Sequence, residues 1–132
     1  MPPEDMIEDD APLTRKGIEQ AERTGEWLRG FFESNGIEFA QIIIKSSPYM
    51  RCIMTASYIA TKLCSDQQAH IVQIDSLLSE SLTEGKFVSD PTKRLALRQI
   101  KTKKDMIALK KKYAIPENVT IEIKGDHFAA HI

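Results

Sequence analysis

The residues best placed to do chemistry are Ser46-Ser47-Pro48-Tyr49-Met50-Arg51-Cys52, directly after Gln41-Ile42-Ile43-Ile44-Lys45. The β-branched run reads as a buried strand. Ser47 can then cap a helix with Pro48 at its first position, where a missing N–H costs nothing. Arg51 falls one turn into that helix, and helical side chains lean back toward the N-terminus. Its guanidinium would join several unpaired backbone N–H groups at the positive end of the helix dipole. That combination suits a dianionic phosphate. The position also suits a ligand, because open α/β sheets bind just beyond the carboxyl ends of their strands. The same residues read equally well as an ordinary helix start with a surface arginine. Cys52 is a rival nucleophile, but a cysteine-based phosphate loop places its cysteine several residues before the arginine. Cys52 follows Arg51 directly, so it reads as a packed bystander.

The elements that must hold this segment follow from periodicity and caps. Pro12-Leu13-Thr14 opens a long helix with Thr14 as its cap, and Asn35-Gly36 stops it. Ile18, Ala21, Leu28 and Phe32 form one apolar face, and Gly17 and Gly25 permit close approach of a neighbour. Glu19 and Arg23 are spaced to pair across one turn. A strand over 41–45 is followed by a helix from Tyr49 to about Leu63, then a short strand near His70–Ile74. A loop carrying Ser79, Glu80, Glu84 and Gly85 leads to a basic helical stretch from about Pro91 to Tyr113, which Pro116 breaks. Val119, Ile121 and Ile123 alternate with polar residues as a last strand. Helix and strand alternate throughout, which predicts an α/β fold with a mostly parallel sheet.

Length and composition fit one modest soluble domain of 132 residues. No apolar stretch approaches the roughly 20 residues of a membrane span. Residues 1–11 are acidic and proline-containing and read as a flexible lead-in without the plan of a signal peptide. Cys52 and Cys64 lie on one predicted helix, about 18 Å apart by helical rise, beyond disulfide reach. Their spacing points to a reducing compartment, the cytoplasm. The net charge of −1 conceals a basic block: residues 93–112 carry +8 and the remainder −9. The block reads as a solvated amphipathic helix or as a polyanion-binding surface. No aromatic is interleaved before Tyr113, so a nucleic-acid partner is not expected.

Two segments together resemble the histidine phosphatase superfamily, the phosphoglycerate mutase-like proteins. Residues 12–25, Pro-Leu-Thr-Arg-Lys-Gly-Ile-Glu-Gln-Ala-Glu-Arg-Thr-Gly, match the family's proline-leucine-threonine, glycine, glutamine-alanine, glycine pattern. Residues 47–56, Ser-Pro-Tyr-Met-Arg-Cys-Ile-Met-Thr-Ala, match its serine-proline, arginine, threonine-alanine pattern. The resemblance covers residues 11–85 well and is thin beyond. It implies a three-layer α/β/α fold and phosphoryl chemistry through a transiently phosphorylated histidine. A carboxylic acid would protonate the leaving oxygen, and arginines and a second histidine would hold the phosphoryl oxygens. By this resemblance Arg51 binds phosphate, and Glu80 of Leu77-Leu78-Ser79-Glu80 is the candidate proton donor, with Glu84 as rival. The second family histidine aligns with Lys124 when register is set on Gly125, or with His127 when the alignment slides by three.

The departure is at the N-terminus. The family's arginine-histidine-glycine motif ends a first strand well before proline-leucine-threonine, yet residues 1–11 contain neither histidine nor arginine, and the first histidine is His70. Residues 12–132 are therefore expected to form a partial histidine phosphatase-like domain with the first strand missing, retaining part of a phosphate pocket and weakly active or inactive. The alternatives are a non-catalytic phospho-ligand-binding or scaffold module, or polyanion binding through 93–112. Expected partners are phosphate or a phosphorylated small molecule, and the thinned sheet favours self-association. No cofactor is implied. His127 and His131 share a helical face but lack a third ligand, so no metal is expected.

Overall fold

Local signals place most of the secondary structure. The computed structural model describes residues 10–75 and 96–124. Helix α1 runs Arg15–Ser34 and begins where Thr14 Oγ1 accepts the Gly17 N–H at 3.0 Å. It ends at Asn35-Gly36: Gly36 takes φ +66°, and the Ile37 N–H reaches back to the Phe32 carbonyl at 2.9 Å. Strand β1 is Gln41–Ser46, helix α2 is Met50–Leu63 and strand β2 is Ala69–Asp75. A 3-10 turn, Ala96–Gln99, precedes helix α3, Lys103–Lys112, and strand β3, Thr120–Lys124.

The three strands form a parallel sheet in the order β1-β2-β3. Helix α2, the crossover between β1 and β2, lies against both strands, and α1 packs along α2. The expected α/β fold with a parallel sheet is what these elements form. The core gathers where α2 meets the sheet: Met50, Ile53, Val72, Ile74 and Val119 are fully buried. Each such side chain contributes about 1.5–3 kcal/mol by leaving water. Ile121 and Ile123 add the inward face of β3. On the opposite face Gln73 stands beside Glu122 in the ladder and donates its Nε2–H to Oε1 at 2.7 Å. No helix among the described residues is long and apolar enough to cross a membrane.

Three local expectations need correction. The β1 run is not buried on both faces, because Ile43 is 50% exposed while Ile42 and Ile44 are half-buried. Alternation along the strand sends Ile43 away from the face that α2 covers. The basic segment is not one helix either. Thr102 starts α3 afresh: its hydroxyl accepts the Asp105 N–H at 3.1 Å, and Asp105 Oδ2 accepts the Thr102 N–H at 3.1 Å. The Lys101 N–H also reaches this carboxylate, at 2.9 Å, and is the chief reason it stays below the usual carboxylate range. This reciprocal cap is stronger than the lysine run's weak tendency to stay helical. On α1 the pair one turn apart is Arg29 with Glu33 at 3.6 Å, not Glu19 with Arg23.

The end of α3 repeats the end of α1 with a different residue. The Ala114 N–H donates to the Lys111 carbonyl at 3.3 Å and the Ile115 N–H to Lys110 at 2.9 Å, with Ala114 at φ +56°. Gly36 takes this left-handed conformation freely, whereas in alanine the Cβ makes it about 1–2 kcal/mol less favourable. Ala114→Gly is therefore expected to raise stability by about 1 kcal/mol once the greater freedom of the unfolded glycine is set against that relief. A rise in the urea midpoint at constant slope would show it, and a fall would refute the strain.

Candidate functional site at the β1–α2 turn

The site grows from the carboxyl end of β1. Ser46 is buried and its hydroxyl donates to the Ser47 carbonyl at 2.8 Å, which turns the chain out of the sheet. Pro48 is fully buried, and Tyr49, 4% exposed, is the residue from which α2 starts. The helix thus begins later than the sequence suggests. Neither Ser47 nor Pro48 occupies the predicted cap positions, and Tyr49 caps with no side-chain bond. Ser47 Oγ is instead a buried hydroxyl without a hydrogen-bond partner among the described residues.

The cap comes from far away in sequence. Asp10 is 4% exposed, and its Oδ1 accepts the Met50 N–H at 2.7 Å. Its Oδ2 accepts the Ala96 N–H at 2.6 Å. The Cys52 and Ile53 N–H groups both return to the Tyr49 carbonyl at 3.0 Å. The predicted cluster of unpaired N–H groups is therefore not open to a phosphate: a carboxylate of the chain itself holds the first of them. A carboxylate at a helix N-terminus is favoured by the same charge logic that favours phosphate. Composition places Asp10 in the flexible lead-in, but the structure places it in the interior.

Arg51 is the second residue of α2 rather than one turn in. It is exposed, and its guanidinium lies over the Tyr49 ring, 5.1 Å from the centroid. Stacking on a buried aromatic orients the planar fork, which is the group that recognises phosphate oxygens in pairs. The sheet register extends the site. Ser46 pairs with Ile74, and Asp75 with Lys124, so the backbone of Lys124 ends β3 at the same carboxyl edge. Glu80 and His127, with the rival Glu84, lie outside the described residues.

His70 sits at the other end. It pairs with Ile42 near the start of the strands, four residues before Ile74 and hence about 13 Å along the sheet. Its ring is buried, and neither nitrogen has a hydrogen-bond partner among the described residues. Of the two free cysteines, Cys52 is half-buried on α2, and burial pushes the thiol of Cys64 up. Reading along the sequence missed Asp10 and Tyr49. Tyr49 was legible as a neighbour of Arg51, but nothing local reveals that Asp10 meets Met50.

This turn and the helix before it carry the matched residues in a comparison with protein-family models. Residues 6–93 match the histidine phosphatase superfamily (branch 1), a span that takes in Asp10, α1, β1, α2 and β2. Compared with curated proteins, the chain matches none. With two thirds of its length matched and the strand–turn–helix folded as the motif requires, this chain belongs to the histidine phosphatase superfamily.

Proposed function

We propose that the chain binds inorganic phosphate or a phosphorylated small molecule at the carboxyl edge of its sheet, and that it turns such ligands over weakly or not at all. The observation that carries this reading is Arg51, exposed at the start of α2 and laid over the Tyr49 ring. A guanidinium held there offers paired N–H donors to phosphate oxygens. Lys124 and His127 are the two candidates for a second cationic contact, and Glu80 for proton donation to a leaving oxygen. Lysine would act as a point charge and could not replace an imidazole nucleophile. The one described histidine, His70, lies at the far end of β2 from this turn, which supports a reading in which it does not attack phosphorus. Two free thiols on and beside one helix fit a reducing compartment, the cytoplasm.

Thermal unfolding with and without inorganic phosphate tests the binding. At tenfold excess over a millimolar Kd, stabilisation of about 1.4 kcal/mol is expected, a rise in Tm of several degrees. Arg51→Ala should abolish the rise and Arg51→Lys should keep a part of it. An equal rise in Arg51→Ala would place the anion elsewhere. Incubation with an aryl phosphate checks the second half, since fast turnover lost on Arg51→Ala would require a nucleophile that this reading omits.

A further inference from the structure

The outward side of α3 presents an isoleucine among lysines. Ile107 is 57% exposed, the one large hydrophobic side chain this helix exposes. Lys103 and Lys104 lie one turn before it, and Lys110 and Lys111 one turn after, all on neighbouring positions of the helix surface. Side chains lean toward the helix N-terminus, which brings Lys111 back over Ile107. A single exposed isoleucine is ordinary on a protein surface, but this one also borders a cavity.

Beside it the left-handed turn at Ala114 folds Ile115 and Pro116 back along the helix. The space between them is a cavity of about 450 Å³ with Ile107, Ala114, Ile115 and Pro116 on its floor. Two contacts hold it open. The Tyr58 hydroxyl donates to the Ala114 carbonyl. Lys110 Nζ turns under the rim, donating to the Val119 carbonyl and to that of Glu117 at 3.4 Å. Lys110 thus lends its stem to the wall and turns its charge inward. Lys111 lines the cavity and is exposed, and the exposed Lys103 and Lys104 precede Ile107 by one turn of the same helix. Glu117 stands at the far rim, so an acidic ligand is repelled there and drawn to the lysine side.

We infer that this groove docks an acidic peptide segment of a partner protein, whose single aliphatic side chain enters the cavity while flanking carboxylates meet Lys103, Lys104 and Lys111. Charge complementarity selects the partner's sign, and the cavity selects its anchor. The floor is aliphatic and offers no ring on which a base could stack, which disfavours single-stranded nucleic acid. A bilayer would be served by a broad apolar helix face, whereas α3 exposes one large aliphatic side chain next to a discrete cavity.

Fluorescence anisotropy with the full chain tests this, using a short labelled peptide of aspartates and glutamates around a central leucine. Binding with a Kd of about 100 μM at low salt is expected, weakening as salt rises. Replacing the leucine of the probe by serine should weaken binding about 10-fold, as should Ile107→Ser in the protein. Ile107 is exposed, so that variant keeps the fold, which circular dichroism would confirm. Lys104→Glu with Lys111→Glu should remove binding. Absence of binding, or equal binding of the leucine and serine probes, overturns the proposal. So does preferential capture by vesicles of phosphatidylcholine with phosphatidylserine, which would make the face a membrane contact instead.

Discussion

Asp10→Ala is expected to cost the chain about 3 kcal/mol, among the largest effects of any polar substitution in the described residues. One carboxylate joins the start of α2 to the start of the 3-10 turn, accepting N–H groups at 2.7 and 2.6 Å. Hydrogen bonds to a charged group contribute about 1.5–3 kcal/mol each, and loss of a helix cap alone costs about 0.5–2 kcal/mol. Met50 is fully buried, so its N–H would lose its partner in a place water reaches poorly. The two contributions share one side chain and do not simply add, which brings the expectation to about 3 kcal/mol. Asn retains one acceptor oxygen and should lose roughly half as much, because an amide cannot accept at both ends. Urea unfolding reads this directly, and a loss below about 0.5 kcal/mol for Ala would show that the bridge is not a structural tie.

Gly25→Ala is the second large effect, and its sign is a contest. Inside a helix, alanine is favoured over glycine by about 1 kcal/mol. At Gly25, however, a Cβ would stand 2.5 Å from the Ile59 carbonyl oxygen and 2.8 Å from Lys62 Cβ. The nearest atom belongs to the backbone of α2 and cannot rotate away. The helices must separate, which loosens the contact of Ala21 and the apolar face beside it. Overpacking of this kind costs about 1–3 kcal/mol or more, and the clash with backbone puts it at the upper end. A net loss of about 2 kcal/mol is expected. Gly30 on the same helix has nothing within 4 Å of the place a Cβ would occupy, so Gly30→Ala should gain about 0.5–1 kcal/mol. Opposite signs at the two glycines in thermal unfolding would locate the α1–α2 crossing, and equal signs would contradict it.

Much of the candidate site was legible along the chain because its signals are local. The Ser-Pro-x-x-Arg segment after a β-branched run announces a strand end, a turn and a helix, and that is how residues 41–63 fold. Thr14 three residues before Gly17, and Asn35 before Gly36, mark the two ends of α1 by rules that need no knowledge of the rest of the molecule. The alternation of Val119, Ile121 and Ile123 likewise marks β3. The Thr102–Asp105 cap was equally local and was outweighed only by the length of the lysine-rich run around it.

What surrounds those elements was decided by tertiary structure. No property of residues 1–11 says that Asp10 will cap a helix 40 residues later and hold an N–H 86 residues later. An aspartate in an acidic stretch looks solvated until a fold brings buried N–H donors to it. The face of Ile43 left open and the left-handed Ala114 depend in the same way on what packs nearby. The sequence by itself determined that Arg51 stands near the start of a helix that follows a strand of a parallel sheet, though not how near. Only the folded chain decided that the anion seat beneath it belongs to Asp10, because a buried N–H is satisfied by whichever acceptor packing delivers, however distant in sequence.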